Sequence, residues 1–317
     1  MSKKIAVIGA GAWGSALAIL QAKAGRDVTL WARDAQKAAA MSASRTNPHL
    51  PGQVLPDAVR ITAHIPEAEI LLIAVPLQSL RALLPALPQD SPLVLCCKGV
   101  EQASLALPPE IVAPRICAVL SGPNFAHEIA AGQPAAAILA TPDEALRGML
   151  VANLHTPHFR LYGAVDILGA ALGGAAKNVI AIAAGVVMGA GLGENARAAL
   201  ITRGLAEIAR LAQALGGRAE TIAGLSGLGD LLLTCTGMSS RNYSLGYGLG
   251  QGQSLQQILA ARSSVTEGVM TAPALLARAQ MLGVEMPITQ AVTNLLGGGM
   301  NVAGTMAALM SRALKDE

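Results

Sequence analysis

The stretch Lys4-Ile-Ala-Val-Ile-Gly-Ala-Gly-Ala-Trp-Gly14 decides the fold. Lys4 to Ile8 is a short apolar run ending in glycines, the pattern of a buried parallel strand. Trp13 to Ala24 then has helical composition, and Gly25 stops it. Asp27 to Trp31 reads as a second strand, so the opening residues form one βαβ unit. In that frame the glycines differ in purpose. Gly9 permits the tight turn, Gly11 lets the backbone approach a pyrophosphate, and Gly14 allows close helix–strand packing. The helix start, with Ala12 and Trp13, offers N–H groups and a partial positive charge to phosphates. Gly9, Gly11, Ala12, Trp13 and Gly14 are therefore expected to hold a nicotinamide dinucleotide. Arg33 and Asp34 end the second strand, where the ribose is read. Arg33 suits the 2′-phosphate of NADP(H), while Asp34 could serve NAD(H). The expectation is NADP(H), with NAD(H) also accepted.

Strand and helix go on alternating. Glu69 to Val75, Pro92 to Cys97, Arg115 to Leu120 and Ala135 to Ala140 read as strands, and Phe159 to Tyr162 as a last edge strand. Near Asp166 the pattern becomes helical: Leu168 to Val187, Asn195 to Leu215, Ser254 to Ala261, Ala272 to Leu282 and Ile288 to Leu296. The expected fold class is α/β. A Rossmann-like, doubly wound, mostly parallel sheet domain occupies residues 1–165, and an all-α domain occupies 166–317.

Composition narrows the function. Hydrophobic residues are 52% and charged residues 14%, so large cores are available and disorder is not expected. Aromatics are 2%, which leaves little for bases to stack on. The net charge is +3, and Lys and Arg are scattered, so no nucleic-acid partner is expected. Cys96, Cys97, Cys117 and Cys235 lack the spacing of a metal or disulfide framework. His155 and His158 have no third ligand nearby, and no metal is expected. Lys4 leads straight into a strand, which argues against a signal peptide, and a cytoplasmic enzyme is expected. The uncharged stretch from Asn178 to Gly193 falls short of a membrane span.

Six later motifs occur in order: Cys97-Lys98-Gly99, Ser121-Gly-Pro-Asn-Phe-Ala-His-Glu128, Gly173-Gly-Ala-Ala-Lys-Asn178, Gly227-Leu-Gly-Asp230, Ser240-Arg-Asn242 and Val265-Thr-Glu-Gly268. This ordered set resembles the bacterial NAD(P)-dependent glycerol-3-phosphate dehydrogenases, from the first strand past Gly268. The resemblance implies reversible oxidation of sn-glycerol 3-phosphate to dihydroxyacetone phosphate. It implies a physiological direction toward glycerol 3-phosphate for phospholipid synthesis, and a homodimer formed through the helical domain.

The resemblance also implies roles. Lys177 is the catalytic lysine and touches substrate. Its small, apolar neighbours would lower its proton affinity by burial. Lys98 lies beside the substrate and also approaches the cofactor. Gly122 and Asn124 touch substrate and Ala126 the cofactor, although Asn124 stands where the family usually has Ser or Thr. Asp230 contacts substrate; read alone, it could equally be a helix cap. Ser240, Arg241 and Asn242 match the phosphate-binding segment, and Arg241 is also a cofactor contact, as are Val265 and Glu267. Ala170-Ala171 departs from the family's frequent Val-Glu. Two other readings stay open at this point: another two-domain hydroxy-acid dehydrogenase, whose carboxylate Arg241 and Lys98 could bind, and a dinucleotide-sensing module without catalysis.

Overall fold

The computed structural model describes residues 3–262 and 266–311. The chain divides into two compact units. The first comprises Met1–Lys98 and Leu107–Ala171, the second Gly99–Ala106 and Leu172–Glu317. The excursion at Gly99–Ala106 has no counterpart in the two-segment division read from sequence.

The first unit is built on β1 (Ile5–Ile8), β2 (Val28–Trp31), β3 (Val59–Thr62), β4 (Ile70–Ile73), β5 (Leu93–Leu95), β6 (Cys117–Ser121), β7 (Ala135–Ala140) and β8 (Phe159–Ala164). They form one sheet in the order β3-β2-β1-β4-β5-β6-β7-β8. Neighbours are parallel throughout, except that β6 and β7 are antiparallel. Strand order reverses at β1, which lies between β2 and β4, and open α/β sheets bind ligands at such a switch point.

The central strands β1, β2 and β4 are buried at every position, as strands covered on both faces must be. On one face Ile5, Val7, Val28, Leu30, Ile70 and Leu72 join Leu17, Ile129 and Leu150 in a single core. Its helices include α1 (Ala12–Lys23), which packs on α5 (Ala126–Ala131), and α6 (Glu144–Leu154). The other α-helices wholly within this unit are α2 (Ala35–Ser44), α3 (Leu80–Leu83) and α4 (Pro108–Val112). Strand β8 alternates buried and exposed residues, as an edge strand should, and Arg160 lies over the exposed Tyr162 ring. Strand β3 has no counterpart among the strands read from sequence. Its four residues, Val-Arg-Ile-Thr, are too short and too polar to stand out.

The second unit contains α8 (Glu194–Ala214), α9 (Ala219–Ala223), α10 (Asp230–Cys235), α11 (Arg241–Gly250), α12 (Leu255–Ala260), α13 (Glu267–Met281), α14 (Pro287–Leu296) and α15 (Val302–Met310). Helix α7 (Ile167–Gly189) carries the chain from the first unit's residues into the second's. This helix corrects one expectation. Counting only the uncharged residues after Lys177 understates it, because its 23 residues, with a mean hydropathy of 1.6 over the most apolar window, are long and apolar enough to cross a membrane. That window is 94% buried inside the protein, so its apolar surface is already spent on packing.

Glycine makes the packing around α7 possible. A Cβ on Gly185 or Gly189 would overlap the carbonyl oxygens of Tyr243 and Tyr247 on α11. Reciprocally, a Cβ on Gly246 or Gly250 would overlap those of Ile182 and Val186 on α7. The two backbones therefore touch directly. Farther away, the buried Glu207 of α8 accepts from the N–H groups of Ile288 (2.6 Å) and Thr289 (3.3 Å), capping the start of α14. Burial pushes this carboxyl above its usual range, against the pull of those bonds.

Candidate active site

The glycine turn follows β1 at the switch point of the first unit. Gly9 has φ +117°, and a Cβ there would lie 2.6 Å from the carbonyl oxygen of Ala74. A Cβ on Gly14 would overlap the carbonyl oxygen of Gly9. Both glycines are thus required by the fold itself. Gly11 is different. Its φ of −76° suits any residue, and beyond its chain neighbours nothing lies within 4 Å of a Cβ placed on it. Folding alone gives no reason for glycine there; a ligand lying on the backbone does. Gly11 is also the N-cap of α1 and offers no side-chain acceptor, and the first N–H groups of a helix capped in this way, at Ala12, Trp13 and Gly14, suit an anion. The buried Asn47 braces the turn by donating to Ala10 O (3.0 Å) and Ser15 Oγ (2.7 Å). No sequence motif announces Asn47. These residues fit a dinucleotide pyrophosphate.

At the end of β2, Arg33 is exposed. Asp34 is occupied within the fold. Its carboxylate caps α2 by accepting from Lys37 N at 3.0 Å, and that bond holds it below its usual range. Lys98 is partly buried and follows β5 by a short run. After β6 the loop turns at Gly122, whose φ is +155° and whose Cβ would lie 2.9 Å from the Cα of Ala137. Here two buried polar atoms, Ser121 Oγ and Asn124 Oδ1, have no hydrogen-bond partner among the described residues. Unpaired buried oxygens cost stability unless a ligand completes them. Ala126 follows as the first residue of α5.

In the second unit, Lys177 lies in the buried middle of α7 and is 8% exposed. Its Nζ meets Oδ1 of Asp230, which is 1% exposed. Asp230 is the first residue of α10, and its carboxylate does not serve as the helix cap, since Gly229 holds that position. Just before it, residues Leu225–Gly229 form a π-helical turn. That turn packs closely on α7, because a Cβ on Gly173 would lie 2.5 Å from Ser226 O. So the glycine of the Gly-Gly-Ala-Ala-Lys motif lets the Asp230 segment approach the lysine. Thr234, one turn along α10, points its hydroxyl at Asp230 O (2.6 Å) and Oδ1 (3.4 Å). A carboxylate therefore stands against the lysine that the sequence places among small, apolar neighbours. Burial disfavours an ammonium and an adjacent carboxylate favours it, so the two act in opposite directions here.

The Ser240-Arg241-Asn242 segment opens α11. Ser240 is its N-cap, accepting from Tyr243 N at 3.2 Å, and Arg241 is exposed at the first helical position. The buried Asn242 side chain is committed to protein: Nδ2 donates to Asn178 Oδ1 (2.9 Å) and Oδ1 accepts from Gly268 N (3.0 Å). Asn242 thus ties α11 to the residue after Lys177 and to the start of α13. Glu267 is the first residue of α13 and is partly buried. Val265 lies outside the described residues. In this unit the structure adds Asn178, Thr234 and Arg262. Asn178 closes the Gly-Gly-Ala-Ala-Lys-Asn motif, Thr234 lies four positions after Asp230 on a helix, and Arg262 belongs to no motif.

Two family models match the chain: the NAD-dependent glycerol-3-phosphate dehydrogenase N-terminus over residues 4–147 and its C-terminus over residues 166–307. The chain belongs to the NAD-dependent glycerol-3-phosphate dehydrogenase family. It is 61% identical to a glycerol-3-phosphate dehydrogenase [NAD(P)+] of Acidiphilium cryptum, covering 99% of this chain and 98% of the relative. It is 53% identical to the Gluconobacter oxydans enzyme of the same name, over 97% of each. Among solved structures, glycerol-3-phosphate dehydrogenase of Coxiella burnetii superposes with a TM-score of 0.93 at 35% identity, covering 98% of this chain and 99% of that one. The fold expected from sequence, a mostly parallel sheet followed by helices, is that of this dehydrogenase family. Among the described residues no group of three His, Cys, Asp or Glu is placed to hold a metal.

Proposed function

We propose that this chain catalyses the reversible, NAD(P)-dependent interconversion of sn-glycerol 3-phosphate and dihydroxyacetone phosphate. It works mainly toward glycerol 3-phosphate for phospholipid synthesis, as a cytoplasmic homodimer with NADP(H) preferred. Residues 1–165 form the dinucleotide-binding domain and 166–317 the domain that carries the catalytic lysine and most substrate contacts, with each lending some residues to the other's ligand. The observation that carries the proposal is the buried Lys177–Asp230 pair, linked through Asn178 and Asn242 to the helix that Arg241 opens.

The bound dinucleotide supplies the hydride chemistry. The protein handles the proton on the C2 oxygen. In reduction the Lys177 ammonium donates it; in oxidation neutral Lys177 removes it. Asp230 fixes the lysine in place and favours its charged form, which suits reduction. The phosphoryl group is held by the fork of the Arg241 guanidinium and the first N–H groups of α11. Because both ends of the Asn242 side chain are engaged, its contribution to phosphate is the backbone N–H. Ser240 contributes as the cap of this helix. Lys98, Gly122 and Asn124 contact substrate, and the unpaired Asn124 oxygen accepts from one of its hydroxyl groups. Ala126, Val265 and Glu267 attend the cofactor, as do Lys98 and Arg241, and Arg33 pairs with the 2′-phosphate.

Lys177→Ala is the test. Steady-state turnover of dihydroxyacetone phosphate should fall by about 10²–10⁴-fold, the scale of general acid–base catalysis, while NADPH affinity stays. An unchanged kcat removes Lys177 from the mechanism.

A further inference from the structure

The short helix α12 is followed by Arg262, a residue that belongs to none of the motifs. Its Nη1 donates to the carbonyl oxygen of Arg241 at 2.7 Å and to Thr266 Oγ1 at 3.1 Å. Its Nη2 donates to Ser244 Oγ at 2.9 Å, and Ser244 Oγ itself donates to the Arg241 carbonyl at 3.2 Å. One planar fork therefore gathers the first turn of α11 and Thr266, the N-cap of α13. A lysine, with its donors on a single atom, cannot reproduce this spread.

The charge is the second observation. Burial, and then the Arg241 charge, lower the proton affinity of the Arg262 guanidinium. Two like charges that sense each other are a cost to the fold alone. Beside a phosphate dianion the same pair is favourable.

We propose that Arg262 is a positioning residue for phosphate recognition: its fork holds the first turn of α11 so that Arg241 and the N–H groups of that turn meet the phosphoryl group together. The proposal rests on the reading of α11 as the phosphate-binding element. Removing the fork loosens that turn, and weakened ground-state binding appears in KM more than in kcat.

The experiment compares wild type, Arg262→Ala and Arg262→Lys in steady-state reduction of dihydroxyacetone phosphate with NADPH. Inorganic phosphate is the competitive inhibitor, and thermal melts are run alongside. In Arg262→Ala, KM for dihydroxyacetone phosphate and the inhibition constant of phosphate should rise together by about tenfold, the scale of a charged hydrogen bond. Arg262→Lys keeps the charge and should still show a rise of about threefold or more in both. If Arg262→Ala does not fold, Arg262→Lys alone decides. A loss confined to kcat and Tm, with KM unmoved, overturns the proposal and leaves Arg262 a purely structural residue. Full rescue by lysine overturns it as well, since charge would then suffice without the fork. Absence of turnover in the wild type would instead refute the dehydrogenase reading, and the two failures are distinct.

Discussion

Lys177 and its neighbour Asn178 interrupt a helix otherwise made of small and apolar residues, and the Asp230 carboxylate that meets Lys177 Nζ is placed to favour an ammonium there. Asp230→Asn tests this. With the carboxylate gone, burial is no longer opposed, and the proton affinity of Lys177 falls. Oxidation of glycerol 3-phosphate needs neutral lysine, so the acid limb of its kcat profile should move to lower pH. The alkaline limb of the reduction should move the same way. Limbs that stay in place, or move up, would show that Asp230 does not set the charge of Lys177. Arg33 bears on the cofactor. For Arg33→Ala, NADPH should bind about tenfold more weakly, with NADH changed by less than about twofold, measured by fluorescence titration. Equal losses for both cofactors would remove its role at the 2′-phosphate. The type of each site residue is legible in sequence; its work is not. Asp34, which in sequence could serve NAD(H), caps a helix, and Asn242, which matches the phosphate-binding segment, joins three helices through its side chain. Backbone partners decide such cases, and sequence does not display them.

At the level of elements, α7 and α11 form the scaffold of the helical half. Gly185 and Gly189 face Gly246 and Gly250 at backbone contact. Gly246→Ala places a methyl group against the carbonyl oxygen of Ile182, so the helices must separate. The expected cost is about 1–3 kcal/mol in unfolding free energy by denaturant titration. KM for dihydroxyacetone phosphate should also rise, because Arg241 and Lys177 ride on the two helices that move. Unchanged stability would show that the helices are free to shift apart. This contact also explains why α11 is invisible in sequence. Arg-Asn-Tyr-Ser-Leu-Gly-Tyr-Gly-Leu-Gly has three glycines in ten residues, a composition that opposes helix in isolation. Tertiary packing overrides that preference, because the small residues are what permit close approach. The apolar length of α7 is understated in sequence for a similar reason. Lys177 looks like the limit of an apolar segment and instead sits buried inside it.

For the molecule as a whole, the first seventy-five residues carry the switch point of the sheet. Ile5 to Gly14, the second strand and Ile70 to Ile73 define the switch point, and all read correctly from apolar runs and glycine punctuation. The antiparallel step between β6 and β7 is not legible, since strand direction depends on the path of the connecting chain. Nor is the excursion at Gly99–Ala106, which joins the helical unit although the residues on both sides belong to the sheet unit. The glycine turn and the ordered motifs after it carry the function because they sit where backbone contact or buried charge restricts the choice of residue: Gly9, Gly14, Gly173, Lys177 and Asp230. The central claim is that these positions serve a glycerol-3-phosphate dehydrogenase. Its most direct test is steady-state oxidation of NADPH and NADH by the purified protein with dihydroxyacetone phosphate, with product identification. The predicted result is turnover with both cofactors, faster at low concentrations of NADPH, yielding sn-glycerol 3-phosphate. No turnover with dihydroxyacetone phosphate, in a protein that still binds the dinucleotide, would contradict it.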